Sequence, residues 1–204
     1  MELLSVMEFI GTVAFAVSGA IVAIQKGLDY YGITFLAIIT AVGGGIIRDV
    51  IINVDLPVAL ANPIYVIVSI VSSFTVIGFY PHIVKHKKTL VFCDAIGLAA
   101  FTAIGAEVAI ANGFNLPFVI IVFALLTGTG GGTLRDVFAQ EIPYIFQKEI
   151  YAVASIGGAL AFLISMNYAS NLLPMYICFG VTLIIRLLAI RGNFHLKKVE
   201  TGKE

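Results

Sequence analysis

The sequence predicts an all-α membrane protein with seven transmembrane helices, N-terminus outside and C-terminus inside. The helices form an inverted repeat of two three-helix bundles plus a seventh helix. Three observations lead there. Of 204 residues, 60% are apolar and only 12% are charged, with a mean hydropathy of +1.04; a soluble domain carries about 25% charged residues. The apolar residues gather into seven runs, each about 20 residues long, the length a helix needs to cross the hydrocarbon core. The chain also matches itself at a spacing of 86 to 87 residues. In lipid only helices or a closed barrel satisfy the backbone, and runs without strict alternation select helices.

The first run covers roughly residues 4–24. No basic segment precedes it and it is too long for a signal-peptide core, so it reads as a retained first span. The others cover roughly 33–53, 62–80, 90–111, 117–140, 148–167 and 172–190. Turn and charge signals separate them: QKGLDYYG, VDLPVALANP, PHIVKHKKT, NGFNLP, QEIPYIFQKE and NYASNLLP. Residues 1–84 form the first three-helix repeat and 89–170 the second, inverted one. Residues 171–191 form the seventh helix, and 192–204 a basic cytoplasmic tail.

Lysine and arginine set the orientation. With the N-terminus outside, the inner segments hold Lys26, Lys85, Lys87, Lys88, Lys148, Arg191, Lys197, Lys198 and Lys203. The outer segments hold none, and Arg48, Arg135 and Arg186 lie within spans. An even number of spans would spoil this positive-inside split.

The repeat pairs IGTVAFAVSGA (Ile10 to Ala20) with IGLAAFTAIGA (Ile96 to Ala106). It also pairs GGGIIRDV (Gly43 to Val50) with GGGTLRDV (Gly130 to Val137), Pro57 with Pro143, and Ile64-Tyr65 with Ile150-Tyr151. Each copy holds three spans. Three is odd, so the second copy crosses the membrane in the opposite sense, an architecture whose permeant site lies near the midplane at the repeat interface.

Gly43, Gly44, Gly45 and Gly130, Gly131, Gly132 fall near the middle of spans two and five. Each glycine costs a helix roughly 1 kcal/mol relative to alanine. A triple run therefore predicts a break or kink, whose freed carbonyls would face a cation path. Thr40, Thr127 and Thr129 lie beside the runs and would add hydroxyl oxygens; tight helix packing is the competing role of the glycines.

Arg48-Asp49 and Arg135-Asp136 follow the glycines. Adjacent residues on a helix do not face each other. Glu8 and Asp94 match across the repeat, so the expected pairs are Glu8–Arg48 and Asp94–Arg135, lining or gating the mouths of a path or pinning the spans. Gly11, Phe15 and Gly19, like Gly97, Phe101 and Gly105, are spaced by four and predict close helix packing.

Glu107 is expected near the outer end of span four, and Arg186 to snorkel from the last span. His82, His86 and His195 sit in charged segments and read as solvated. Cys93 and Cys178 read as buried thiols, without metal or CxxC spacing. No nucleophile–base set, Walker loop or HExxH appears, so no enzyme is expected. Zero net charge gives no nucleic-acid reading, whereas the basic KHKK loop and the tail would attract anionic membrane lipids.

The paired GGGxxRD motifs, the two three-span repeats and the unpaired seventh span resemble the trimeric intracellular cation (TRIC) channel family, and more closely its prokaryotic members. The resemblance covers about residues 1–192. It implies a monovalent cation channel of the plasma (inner) membrane, passing potassium, with sodium as a second candidate ion. It implies no cofactor, no metal beyond the permeant cation, and a homotrimer with a pore in each protomer. The basic lipid-binding motif of animal members is missing from GGGTLRDVFAQE, where Arg135 is the only basic residue. Bacterial relatives are also described as small-solute or glycine transporters, so the alternative is a secondary transporter for a small amino acid such as glycine.

Overall fold

The computed structural model describes residues 2–84, 88–147, 150–168 and 172–192. Regular structure among them is entirely helical: α1 (Glu2–Gln25), α2 (Tyr30–Ile52), α3 (Val58–Ala61), α4 (Ile64–Val84), α5 (Thr89–Ala111), α6 (Pro117–Phe138), α7 (Tyr144–Gln147), α8 (Ile150–Ser165) and α9 (Leu173–Gly192). The helices α1, α2, α4, α5, α6 and α9 are long and apolar enough to cross a membrane. The apolar α8 has 16 residues, about 24 Å of helix at 1.5 Å per residue, short of a core about 30 Å thick. Lys85, His86, Lys87, Lys148, His195, Lys197, Lys198 and Lys203 lie outside the described residues.

Local chemistry fixes the helix ends, and it does so alike in both halves. α1 and α5 stop at glycines in the left-handed region, Gly27 (φ 71°) and Gly113 (φ 82°). After them the amides of Leu28 and Phe114 reach back to the carbonyls of Ala23 and Ala109, the six-to-one closure that glycine permits. Asp29 caps α2 by accepting from Gly32 N at 2.7 Å. Pro117 opens α6 at a first-turn position that needs no N–H. Asn53 (φ 63°) ends α2, and Gln140 (φ 56°), 87 residues on, follows α6.

The glycine runs do not break their helices: α2 and α6 are continuous from end to end. The reason is the packing between them. A Cβ on Gly44 would strike the carbonyl oxygen of Thr127, and one on Gly131 would strike that of Thr40. The two backbones thus touch where a side chain would hold them apart. Close contact and lipid, which has no partner for freed backbone groups, keep the helices wound. The hydroxyls of Thr40, Thr127 and Thr129 are bound too, donating to Leu36 O (2.6 Å), Phe123 O (2.7 Å) and Leu125 O (2.7 Å), one turn back.

α1 and α5 form the other large inter-repeat contact. Phe15 and Phe101 stack with centroids 5.4 Å apart. Gly97 lies under the Phe15 ring and Gly11 under the Phe101 ring, so each copy supplies the glycine for the other's aromatic. Gly19 and Gly105 let α1 meet α2 and α5 meet α6 at Thr40 and Thr127. The last helix, α9, packs on α5 and α8.

Candidate functional site

Two polar clusters lie at corresponding places in the two repeats. In the first, Arg48 donates from Nε to Asp49 Oδ1 at 2.8 Å, and its Nη2 lies 2.8 Å from the same oxygen. Asp49 Oδ2 accepts from the amide of Val58, the first residue of α3, at 2.8 Å. In the second, Arg135 Nε donates to Asp136 Oδ1 at 2.8 Å, and Asp136 Oδ2 accepts from the amide of Tyr144, the first residue of α7, at 2.9 Å. Adjacent residues therefore do pair. The helix geometry that separates their Cβ atoms is overcome because each aspartate sits in a last turn, where it accepts the first amide of a short helix, and the long arginine reaches it from the neighbouring position.

The expected Glu8–Arg48 pair does not form. Glu8 instead accepts a hydrogen bond from the Tyr65 hydroxyl at 2.5 Å, and Asp49 takes Arg48. Asp94 and Arg135 do meet, Nη1 to Oδ1 at 2.7 Å, and the same Nη1 donates to Ser18 Oγ. Tyr151 donates to Asp94 Oδ1 at 3.3 Å. The tyrosines were legible as a repeat pair but not as partners of the acids. The signal was present: Tyr65 follows Glu8 by 57 residues, and Tyr151 follows Asp94 by 57.

Arg186 departs from expectation as well. It does not snorkel but is 2% exposed. Its guanidinium carbon lies 4.7 Å from the Tyr151 ring centre, and its Nη2 is 4.0 Å from Asp94 Oδ2. A buried carboxylate and an aromatic face offer it more than the distant interface does. Of the cysteines, Cys178 is buried and Cys93 partly exposed. Glu107 is half-buried, and His82 is exposed.

The two clusters differ in openness. The first surrounds a cavity of about 30 Å³ lined by Glu8, Thr12, Gly45, Arg48, Asp49 and Tyr65 among others. Thr12 and Tyr65 also line a neighbouring cavity of about 210 Å³. Thr12, Val58 and Ala59 of the first cavity correspond, 86 residues on, to Leu98, Tyr144 and Ile145. These larger side chains pack together with Tyr151 and with Ile185 of α9. In the second cluster Asp94 and Arg135 have no exposure at all. No grouping of three or more metal-binding side chains occurs among the described residues.

This architecture is shared with known proteins. The family model described as Glycine transporter matches the chain twice, over residues 5–81 and 91–167, two segments 86 residues apart. The UPF0126 membrane protein YvgT of Bacillus subtilis is 40% identical over 197 residues, which are 96% of this chain and 94% of that protein. The UPF0126 inner membrane protein YadS of Escherichia coli K12 is 37% identical over 194 residues, 94% and 92% of the two chains. Among solved structures, a TRIC cation channel studied for its conductance superposes with a TM-score of 0.90 at 32% identity, covering 98% of each chain. The trimeric intracellular cation channel orthologue from Rhodobacter sphaeroides gives 0.88 at 31% identity, covering 95% of this chain and 100% of that one. Both solved neighbours are channels rather than enzymes. Six membrane-length helices among the described residues and relatives of the inner membrane make the chain a multi-pass plasma-membrane protein. It belongs, as a prokaryotic member, to the TRIC channel family, within the group of membrane proteins that the Glycine transporter model matches.

Proposed function

We propose that the protein is a potassium-permeable cation channel, assembled as a homotrimer with one path in each protomer. The fold supports the cation-channel class. The observation that carries the reading further is the polar cavity around Glu8, Arg48, Asp49 and Tyr65, set among membrane-length helices. Two carboxylates there outweigh one guanidinium, and the guanidinium is held against Asp49. The cavity therefore attracts a cation rather than being blocked by arginine. The path continues past α2 and α6, closed where Gly44 and Gly131 meet the opposite backbones. Sodium is a second permeant candidate, and no cofactor enters the reading.

The reciprocal contacts of α1 with α5 and of α2 with α6 support repeats of opposite sense. The distribution of basic residues supports an outer N-terminus and an outer position for this cavity, with Lys26 and its ion-pair partner Glu141 (2.7 Å) on the inner side. Anionic lipids are the expected neighbours of the basic segments.

The second reading, a secondary transporter for a small amino acid, is favoured by the matching family model, described as Glycine transporter. Arg48 with Glu8 offers both charges that a zwitterion needs. Purified protein in potassium-loaded liposomes, with a voltage-reporting dye and labelled glycine in parallel, separates the two. A rapid potassium-set potential without saturable glycine uptake is expected; saturable glycine entry without potassium conductance would overturn the channel.

A further inference from the structure

The seventh helix has no counterpart in the repeat, yet it places a charge at the heart of one half. In the first cluster Glu8 and Asp49 face one guanidinium, Arg48. In the second, Asp94 and Asp136 face two, Arg135 and Arg186, and only Arg186 comes from outside the repeated units. Arg186 thus removes the excess negative charge that the first half keeps. It is 2% exposed, so water screens that charge little.

Its hold on Asp94 is loose. Arg135 approaches Asp94 Oδ1 at 2.7 Å, while Arg186 stands 4.0 Å from Oδ2. Asp94 Oδ2, Arg186 Nε and Arg186 Nη2 make no hydrogen bond within the protein. Buried polar groups are rarely left so. Arg135, by contrast, is held by Asp94, Asp136, Ser18 and the Tyr144 ring. Arg186, on α9, rests on the Tyr151 ring at 4.7 Å and has the looser of the two holds on Asp94. Beside it Ile185 packs into the Leu98, Tyr144, Ile145 and Tyr151 cluster that fills the space left open in the first half.

We infer that Arg186 is the charge that closes and neutralises the second-repeat half of the path, and so limits cation flux and sets cation-over-anion preference. The inference rests on the channel reading. It makes Arg186 a positioning and selectivity residue rather than a packing strut, and it gives the unrepeated helix a task. Moving α9 away would leave two carboxylates facing Arg135 alone, the balance of the first half.

The full chain in planar bilayers under a potassium chloride gradient tests this. Arg186→Gln is expected to move the reversal potential toward the potassium equilibrium value and to raise potassium flux several-fold. Arg186→Lys, which keeps the charge, is expected to return both toward wild type. Unchanged reversal potential and flux in folded R186Q would overturn the inference, as would equal loss of flux in R186Q and R186K. If R186Q does not fold, Arg186→Met, neutral and close to arginine in length, takes its place with the same expected shift in reversal potential and flux. Failure of that variant too would make Arg186 a strut and overturn the inference. A wild type that carries no potassium current sinks the channel reading along with it, whereas a conducting wild type with an indifferent R186Q sinks only the role of Arg186.

Discussion

Gly131 and Gly45 belong to equivalent triple runs yet have opposite surroundings. A methyl on Gly131 would meet the carbonyl of Thr40, a backbone atom that cannot rotate away, whereas on Gly45 the nearest atom is Arg48 Nη2 at 3.8 Å. Gly131→Ala is therefore expected to destabilise by about 1–3 kcal/mol through overpacking. Gly45→Ala is expected to be neutral or to gain up to about 1 kcal/mol of helix propensity. Thermal unfolding in detergent reads both. The tyrosines give a second residue-scale test. Tyr65 donates to Glu8 at 2.5 Å and Tyr151 to Asp94 at 3.3 Å. Loss of a hydrogen bond to a charged group costs about 1.5–3 kcal/mol, so Tyr65→Phe should approach that range. Tyr151→Phe should fall clearly below it in the same measurement. A larger loss at Tyr151 would mean that the long bond matters more than its geometry indicates.

At the scale of elements, the short helices α3 and α7 hang on the aspartates that end α2 and α6. Asp49 is the carboxylate bonded to Arg48, while Arg135 keeps Asp94 when Asp136 is removed. Removing one partner of a buried ion pair costs about 3–5 kcal/mol. Asp49→Ala is expected at that level and Asp136→Ala below it, by denaturation monitored with circular dichroism. Hydrogen exchange at the Val58 and Tyr144 amides should rise in the respective variants, because each loses its acceptor. The continuous course of α2 and α6 belongs to the same scale. Helix propensity argues for a break at three glycines, but two backbones in contact offset that cost, and the contact exists only once both helices are in place.

For the whole molecule, the two halves share a plan and differ in filling. Thr12 and Ala59 leave room where Leu98 and Ile145 leave none. Transplanting the second half into the first, by Thr12→Leu with Ala59→Ile, should close the cavity without disturbing the fold. A barrier raised by about 1.4 kcal/mol slows passage about tenfold, so potassium flux into liposomes is expected to fall at least that far while melting temperature holds. Flux at the wild-type level would place the path elsewhere. The same preparation is expected to run as a trimer in native mass spectrometry.

What the sequence determined by itself was whatever local chemistry and the long apolar runs decide. The runs marked the long helices to within about four residues at each end, because a membrane span needs a fixed length of apolar chain. Gly27 and Gly113 marked turns because only glycine adopts their conformation cheaply. The self-match gave the equivalence of Glu8 with Asp94 and of Arg48 with Arg135. Tertiary structure decided the partners. Whether Arg48 reaches Glu8 or Asp49, whether three glycines break a helix or join two, and whether Arg186 goes to the interface or to Asp94 all turn on distances of a few ångströms between segments far apart in the chain. A buried charge or a bare stretch of backbone takes the contact that desolvation leaves within reach, and that choice arises only when the helices pack.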